Sequence, residues 1–258
     1  RREDHAGVAT VTLTSAATRN ALSLLMIDTL LVAFDEIGKD KTIKAVVVAG
    51  EGPVFSSGHD LREMRAHRND SDRGGEFYEK LFRRCADFMR GLTELPQPVI
   101  AAVEGIAMAA GCQFVAACDL AIAGEKARFA LPGAKNAFFC STPLVAVGRA
   151  VSRKHAMEIA LTGDMIDARR AETMGLVNRV APEGQALATA QAMAATIASR
   201  PSHAIGLGKR AFYEQIEMPL GAAYARASRA MIENLEDDDA IEGMSAFVEK
   251  RAPKWGNA

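Results

Sequence analysis

Two short segments hold the residues best placed to do chemistry: Phe55-Ser56-Ser57-Gly58-His59-Asp60-Leu61 and, well downstream, Ala109-Ala110-Gly111-Cys112-Gln113. Each follows an apolar β-like run, residues 45–49 and 99–103, and then turns through small residues into helix-forming sequence. Backbone N–H groups at such turns lack partners and point out of the helix start, so two turns can converge on one oxygen. That arrangement is an oxyanion hole made from main chain alone. Gly58 omits the Cβ that would block approach, and Asp60 is placed to cap the helix that follows. His59 offers either its backbone N–H or an imidazole base. The small residues 109–112 suit a helix start facing a ligand, and equally a close helix packing.

Other chemistries find no support. No GxGxxG follows a strand, and Gly206-Leu207-Gly208-Lys209 lacks phosphate-loop spacing. Neither GxSxG nor HExxH occurs, and the five histidines show no metal-ligand spacing, so no metal is expected. Cys85, Cys112, Cys118 and Cys140 form no CxxC pair and read as buried free thiols of a reducing compartment. With 258 residues, 49% of them hydrophobic, the chain can bury a large core. A formal net charge of −1 argues against nucleic acid and acidic membrane surfaces as partners. No apolar run is long enough to span a bilayer and no signal-peptide pattern opens the sequence, so a soluble intracellular protein is expected.

The elements that must position the two turns follow from periodicity. Residues 8–13 alternate as a half-buried strand, and a helix follows with Ser23 as its cap and Gly38 as its stop. Residues 64–75 (MRAHRNDSDRGG) read as a surface loop, and 77–90 as helix. Strands are expected at 99–103, 119–123 and 128–130. Beyond Pro132 the pattern is almost wholly helical, over 152–161, 168–174, 184–199, 202–213, 220–234 and 238–250. Cys140-Ser141-Thr142-Pro143 reads as a helix cap with Pro at the first position. The result is an α/β core over residues 1–198 and a helical region over 199–258. The apolar faces of those last helices call for a partner.

Over essentially its full length the sequence resembles the crotonase (enoyl-CoA hydratase/isomerase) superfamily. The resemblance is carried by Arg19-Asn20-Ala21-Leu22, GPVFSSGHDL at 52–61, VEGIAMAAGCQFVAACDLAIA at 103–123, LTGD at 161–164, GLVNRV at 175–180 and EGMSAFVEKR at 242–251. It implies a crotonase-like spiral of ββα units, a homotrimer or dimer of trimers built through the C-terminal helices, and a coenzyme A thioester as ligand without a prosthetic group. Fatty acid metabolism is the implied setting, in a bacterial cytoplasm or a mitochondrial matrix. The family pattern assigns the oxyanion donors to the N–H groups of His59 and Ala110. It places Arg19, Ala21, Asp60 and Leu61 near the adenine and pantetheine, with Ser57, Gly58, Met108, Gly111 and Pro132 also in the binding region. Lys250, with Phe247 close by, falls where a neighbouring subunit contacts the CoA phosphates.

One departure stands out. Family hydratases hold and activate a water with two glutamates, and the corresponding positions here are Gln113 and Gly133. Gln113 can hydrogen-bond but not take up a proton, and Gly133 supplies only room. With its FSSGHDL, AAGCQ and FCSTP segments, the doubly replaced chain resembles the enoyl-CoA hydratase-domain-containing subgroup. Among neighbouring residues, Lys135 reads as a surface cation, Cys140 first as part of a cap, and His59 as the best single candidate base. Two readings follow: an enzyme that stabilises a thioester enolate without efficient hydration, or a non-catalytic acyl-CoA-binding or assembly protein.

Overall fold

The computed structural model describes residues 1–256, so the last two positions of the helical region expected at 199–258 lie outside the described residues. The strands run β1 (Arg2–His5), β2 (Val8–Leu13), β3 (Ala45–Gly50), β4 (Val54–Ser56), β5 (Val99–Val103), β6 (Ile106–Met108), β7 (Leu120–Gly124), β8 (Arg128–Ala130), β9 (Ile166–Asp167) and β10 (Arg179–Ala181). They form a six-stranded sheet in the order β1-β2-β3-β5-β7-β10 and a four-stranded sheet in the order β4-β6-β8-β9. Only the β1–β2 and β8–β9 pairs are antiparallel. Between β3 and β8 the chain alternates between the sheets, one strand in each, and helices follow β4 and β6.

Those helices are α1 (Leu24–Lys39), α2 (Leu61–His67), α3 (Gly75–Glu94) and α4 (Ala110–Ala117), then α5 (Pro143–Ala150), α6 (Arg153–Thr162) and α7 (Ala168–Met174). The last four are α8 (Ala186–Ala198), α9 (Ser202–Gln215), α10 (Leu220–Leu235) and α11 (Asp238–Val248). The main core lies where α1, α3 and α4 cover one face of the large sheet. The other face carries α8, whose Ala186, Ala190, Ala194 and Ala198 recur every fourth residue and are buried with Val47, Ile100 and Ile122. Alanine at that spacing lets a helix axis approach a sheet closely. Lys209 on α9 is buried and donates to Asp119 at 2.6 Å and to the Leu92 and Gln97 carbonyls. Asp119 in turn accepts from Val99 N–H, so this pair ties α9 to the starts of β5 and β7. The α10 and α11 helices bury little beyond Ala223, Ala230 and Ala246.

Several expectations need correction. Residues 64–67 belong to α2, because the Asp60 carboxylate accepts from Arg62 and Glu63 N–H and starts a helix under charged sequence. The turn begins only after His67 and ends at Arg73 and Gly74, both at positive φ. Gly38 lies inside α1, which runs to Lys39. Ser23 does cap that helix, accepting from Met26 N–H. Thr142 stands at the cap of α5 without a side-chain bond. The almost wholly helical region after Pro132 also holds two short strands, β9 and β10, which are too short to show alternation and form because β8 and β7 offer edges. The last helix stops at Val248, and Lys250 turns left-handed at φ 55°.

Asn20 fixes where β4 starts. It is fully buried, and its Nδ2 donates to the Val54 carbonyl at 2.7 Å and the Glu51 carbonyl at 3.0 Å. Asn20→Ala is expected to destabilise the fold by about 2–4 kcal/mol, since two carbonyls lose their donor. Denaturant unfolding measures it, and a change within 0.5 kcal/mol, the usual range for an unimportant surface site, would contradict this role.

Candidate active site

β4 and β6 pair in parallel, with Val54 opposite Ile106 and Ser56 opposite Ala107. Parallel neighbours end on the same side, so the turns after Ser56 and after Met108 emerge together. A β-bulge at Phe55 adds one residue on β4, and the Phe55 ring packs on Phe114 of α4. The two turns touch. A Cβ on Gly58, at φ +87°, would stand 2.9 Å from Ala109 Cβ and 3.1 Å from Ala110 N. A Cβ on Gly111 would stand 2.3 Å from the Ser56 carbonyl oxygen, so only glycine fits at either point.

The first turn is held by residues 19–22. Ser57 N–H donates to the Arg19 carbonyl at 3.1 Å, and the Ser56 hydroxyl donates to the Asn20 carbonyl at 2.9 Å. Leu22 N–H donates to the Gly58 carbonyl at 2.8 Å, and His59 Nδ1 lies 3.1 Å from the Leu22 carbonyl. At the second turn Ala109 sits at φ 48°, ψ −119°. Such a conformation costs a residue with a Cβ on the order of 1–3 kcal/mol. It is held from both sides, by Ala109 N–H to the Ala130 carbonyl and Gln113 N–H to the Ala109 carbonyl, both at 3.0 Å. Among the described residues, neither His59 N–H nor Ala110 N–H has an acceptor.

Both residues line one cavity of about 820 Å³ whose wall is mostly apolar. Of the residues expected at a site, Arg19, Ala21, Ser57, Asp60 and Leu61 line it from the first turn. Met108, Pro132 and Gly133 line it from the second sheet and the segment beyond. Gly58 and Gly111 stand behind the wall, where the turns meet. Gln113 is buried outside the lining, and its Oε1 has no partner among the described residues. Phe247 and Lys250 are exposed and do not line this cavity within one chain. Sequence reasoning missed Met64, Phe82, Phe138 and Phe139, which also line it. Phe82 stands off the buried α3 stripe of Phe77, Leu81, Cys85 and Phe88, so a second apolar face on that helix was the available signal.

The electrostatics narrow the roles. The Leu22 carbonyl only accepts, so His59 Nδ1 carries the proton and Nε2 the lone pair. Nε2 is buried without a partner among the described residues, and the Phe82 ring meets the imidazole edge-on with centroids 5.5 Å apart. Burial pushes the His59 pKa below 6.5, against a smaller opposing effect of the Leu22 bond. The Cys140 thiol, also on the cavity wall, is pushed up by burial and stays protonated at neutral pH. Lys135 pairs with Asp164 at 2.5 Å and is not part of the lining. No three His, Cys, Asp or Glu side chains among the described residues are grouped to hold a metal.

A lowered His59 pKa has a definite sign in stability. Between the folded value and 6.5 the unfolded chain binds the proton first, so acid weakens the fold as pH drops through that window. The imidazole is expected to titrate with a midpoint below 6.5 and to rest as the Nδ1–H tautomer. Nitrogen-15 NMR of the ring reports both, and a midpoint at or above 6.5 would contradict the assignment.

Comparison with known proteins bears on the family and the fold. The enoyl-CoA hydratase/isomerase family matches residues 3–258. The rat mitochondrial enoyl-CoA hydratase domain-containing protein 3 is 41% identical over 257 residues, covering 100% of this chain and 83% of the relative. The crystal structure of an enoyl-CoA hydratase from Mycobacterium smegmatis superposes with a TM-score of 0.94 at 46% identity, covering 99% of this chain and 98% of that one. The human enoyl-CoA hydratase domain-containing protein 3 structure gives a TM-score of 0.93 at 40% identity, covering 99% of both chains.

Proposed function

This chain belongs to the enoyl-CoA hydratase/isomerase family, and we propose that it holds an acyl-CoA thioester with the carbonyl oxygen between the N–H groups of His59 and Ala110. One observation carries the reading: two N–H groups without acceptors, on turns packed in contact, belong to residues lining one apolar cavity. Donors placed this way strengthen as charge builds on the oxygen, each contributing about 2.7–4 kcal/mol to an enolate-like transition state. Arg19, Ala21, Asp60 and Leu61 run along the same cavity and receive the pantetheine and adenine. Lys250 and Phe247 reach the CoA of a neighbouring subunit in a homotrimer or dimer of trimers. The exposed Leu220, Tyr224, Ile232, Phe247 and Val248 on α10 and α11 support such an assembly. The thioester is substrate or ligand, and no prosthetic group, nucleic acid or membrane enters the reading. The mitochondrial names of the relatives favour a matrix setting, with bacterial cytoplasm the other, and a role in fatty acid metabolism.

Hydration of 2-enoyl-CoA is not the activity this site favours. It needs a proton delivered to the carbon beside the carbonyl and a proton taken from the water that attacks the next carbon, and a lost acid–base group typically lowers the rate ~10²–10⁴-fold. Gln113 stands off the lining, and the space beside Gly133 is taken. A Cβ there would lie 2.8 Å from Cys140 Sγ and 3.1 Å from Cys140 N. The thiol thus fills the place a longer side chain would need. A second reading, a non-catalytic acyl-CoA-binding or assembly protein, draws on the same lack of carboxylates at positions 113 and 133.

Calorimetry with crotonyl-CoA, together with loss of its enoyl absorbance, tests the proposal. Saturable binding with negligible hydration is expected. Fast hydration would contradict the reading of positions 113 and 133, and absence of binding would contradict the acyl-CoA site itself. Gly133→Glu alone is expected to destabilise the chain by about 1–3 kcal/mol through overpacking, without creating hydratase activity. Adding Cys140→Ala should recover part of that loss, and thermal unfolding of the single and double variants measures the coupling.

A further inference from the structure

We propose that His59 is also the base of this site: its Nε2 takes a proton from the carbon beside the thioester carbonyl. The inference rests on the acyl-CoA reading above. A base needs a free lone pair, a fixed orientation and access to the reacting atom. The imidazole has the first two by construction. Its Nδ1–H is held by the Leu22 carbonyl, a main-chain group fixed in turn by the bridge between Leu22 and His59. That bond leaves Nε2 as the acceptor, and Nε2 is buried with no donor among the described residues. Leaving a buried acceptor unpaired is costly, and the fold bears that cost while keeping the lone pair available.

Access rests on the place of His59 itself, which lines the cavity. The residue that offers its backbone N–H to the thioester oxygen carries the imidazole on the same Cα, one side chain from the carbonyl. The hydrogen to be removed sits on the carbon bonded to that carbonyl. Nε2 itself is buried, while His59 and Phe82, in edge contact with its ring, both line the cavity. An acyl group reaches this atom only when that wall shifts, and the same opening lets the Nε2 proton exchange with solvent.

No other group at the cavity competes. Asp60 spends its carboxylate on the N–H groups of Arg62 and Glu63. Cys140 holds its proton, Lys135 pairs with Asp164 outside the lining, and Gln113 and Gly133 have no group that takes one. In the step, the C–H bond breaks and its proton passes to Nε2. The electron pair becomes the carbon–carbon double bond of an enolate, and the carbonyl π pair moves onto the oxygen held by His59 and Ala110 N–H. The reverse step returns a proton to carbon, and in D2O it returns a deuteron, so no co-reactant is needed.

The test uses butyryl-CoA, which has no double bond to hydrate, incubated with the protein in D2O and followed by proton NMR at the carbon beside the carbonyl. Enzyme-dependent deuterium incorporation is expected there. His59→Gln keeps the backbone N–H and is expected to slow exchange by at least about 100-fold, with butyryl-CoA affinity within about threefold of the parent. His59→Ala should regain exchange when free imidazole is added, which a purely structural role would not produce. Binding without exchange by the parent protein, or parental exchange by His59→Gln, overturns this inference alone. Failure to bind butyryl-CoA overturns the acyl-CoA reading and this one with it.

Discussion

β4 and β6 run parallel with Ser56 opposite Ala107, and the positions of both turns follow from that register. Parallel strands present their C-terminal ends side by side, so the chain leaves each strand toward the same point. What prevents close approach elsewhere is Cβ volume, and here it is removed at both contacts. Gly58 meets Ala109 and Ala110, and Gly111 meets Ser56. With any other residue at Gly111 the second turn would have to back away from β4, and two N–H groups would no longer belong to one cavity.

The contact is tensioned as well as close. Ala109 occupies a conformation suited to glycine, yet it is locked by bonds to Ala130 and Gln113. Strain of that kind persists only where surroundings over-determine it. On the facing side, Arg19 and Asn20 are both left-handed, at φ 57° and 50°, and the four bonds from residues 19–22 hold Ser56 to His59 in register. The unpaired His59 and Ala110 N–H groups are therefore not slack ends. They stand beside main-chain groups that are committed: Ser57 N–H, the Gly58 carbonyl and Ala109 N–H.

Much of this was legible in the sequence, for physical reasons that differ by element. Apolar runs such as 45–49 and 99–103 identify β3 and β5 because both faces are buried. Glycine between small residues identifies the turns because few other roles require it. The cap at Asp60 was legible, but the helix it starts was not, since α2 has no buried residue to set a period. The three-residue strands β4 and β6, whose pairing matters most, are shorter than any pattern that alternation can reveal. Nor could the sequence show that Gln113 lies outside the lining, or that Cys140 fills the space beside Gly133, since the latter depends on how residues 132–142 fold back. The His59 tautomer needed the Leu22 carbonyl in place.

The account stands or falls on polarisation of a thioester carbonyl by two main-chain donors. Infrared difference spectroscopy of a carbonyl-13C-labelled crotonyl-CoA bound to the protein reads it directly. A carbonyl stretch moved to clearly lower frequency on binding is the predicted result. A bound thioester whose carbonyl absorbs where the free ligand does would contradict the central claim.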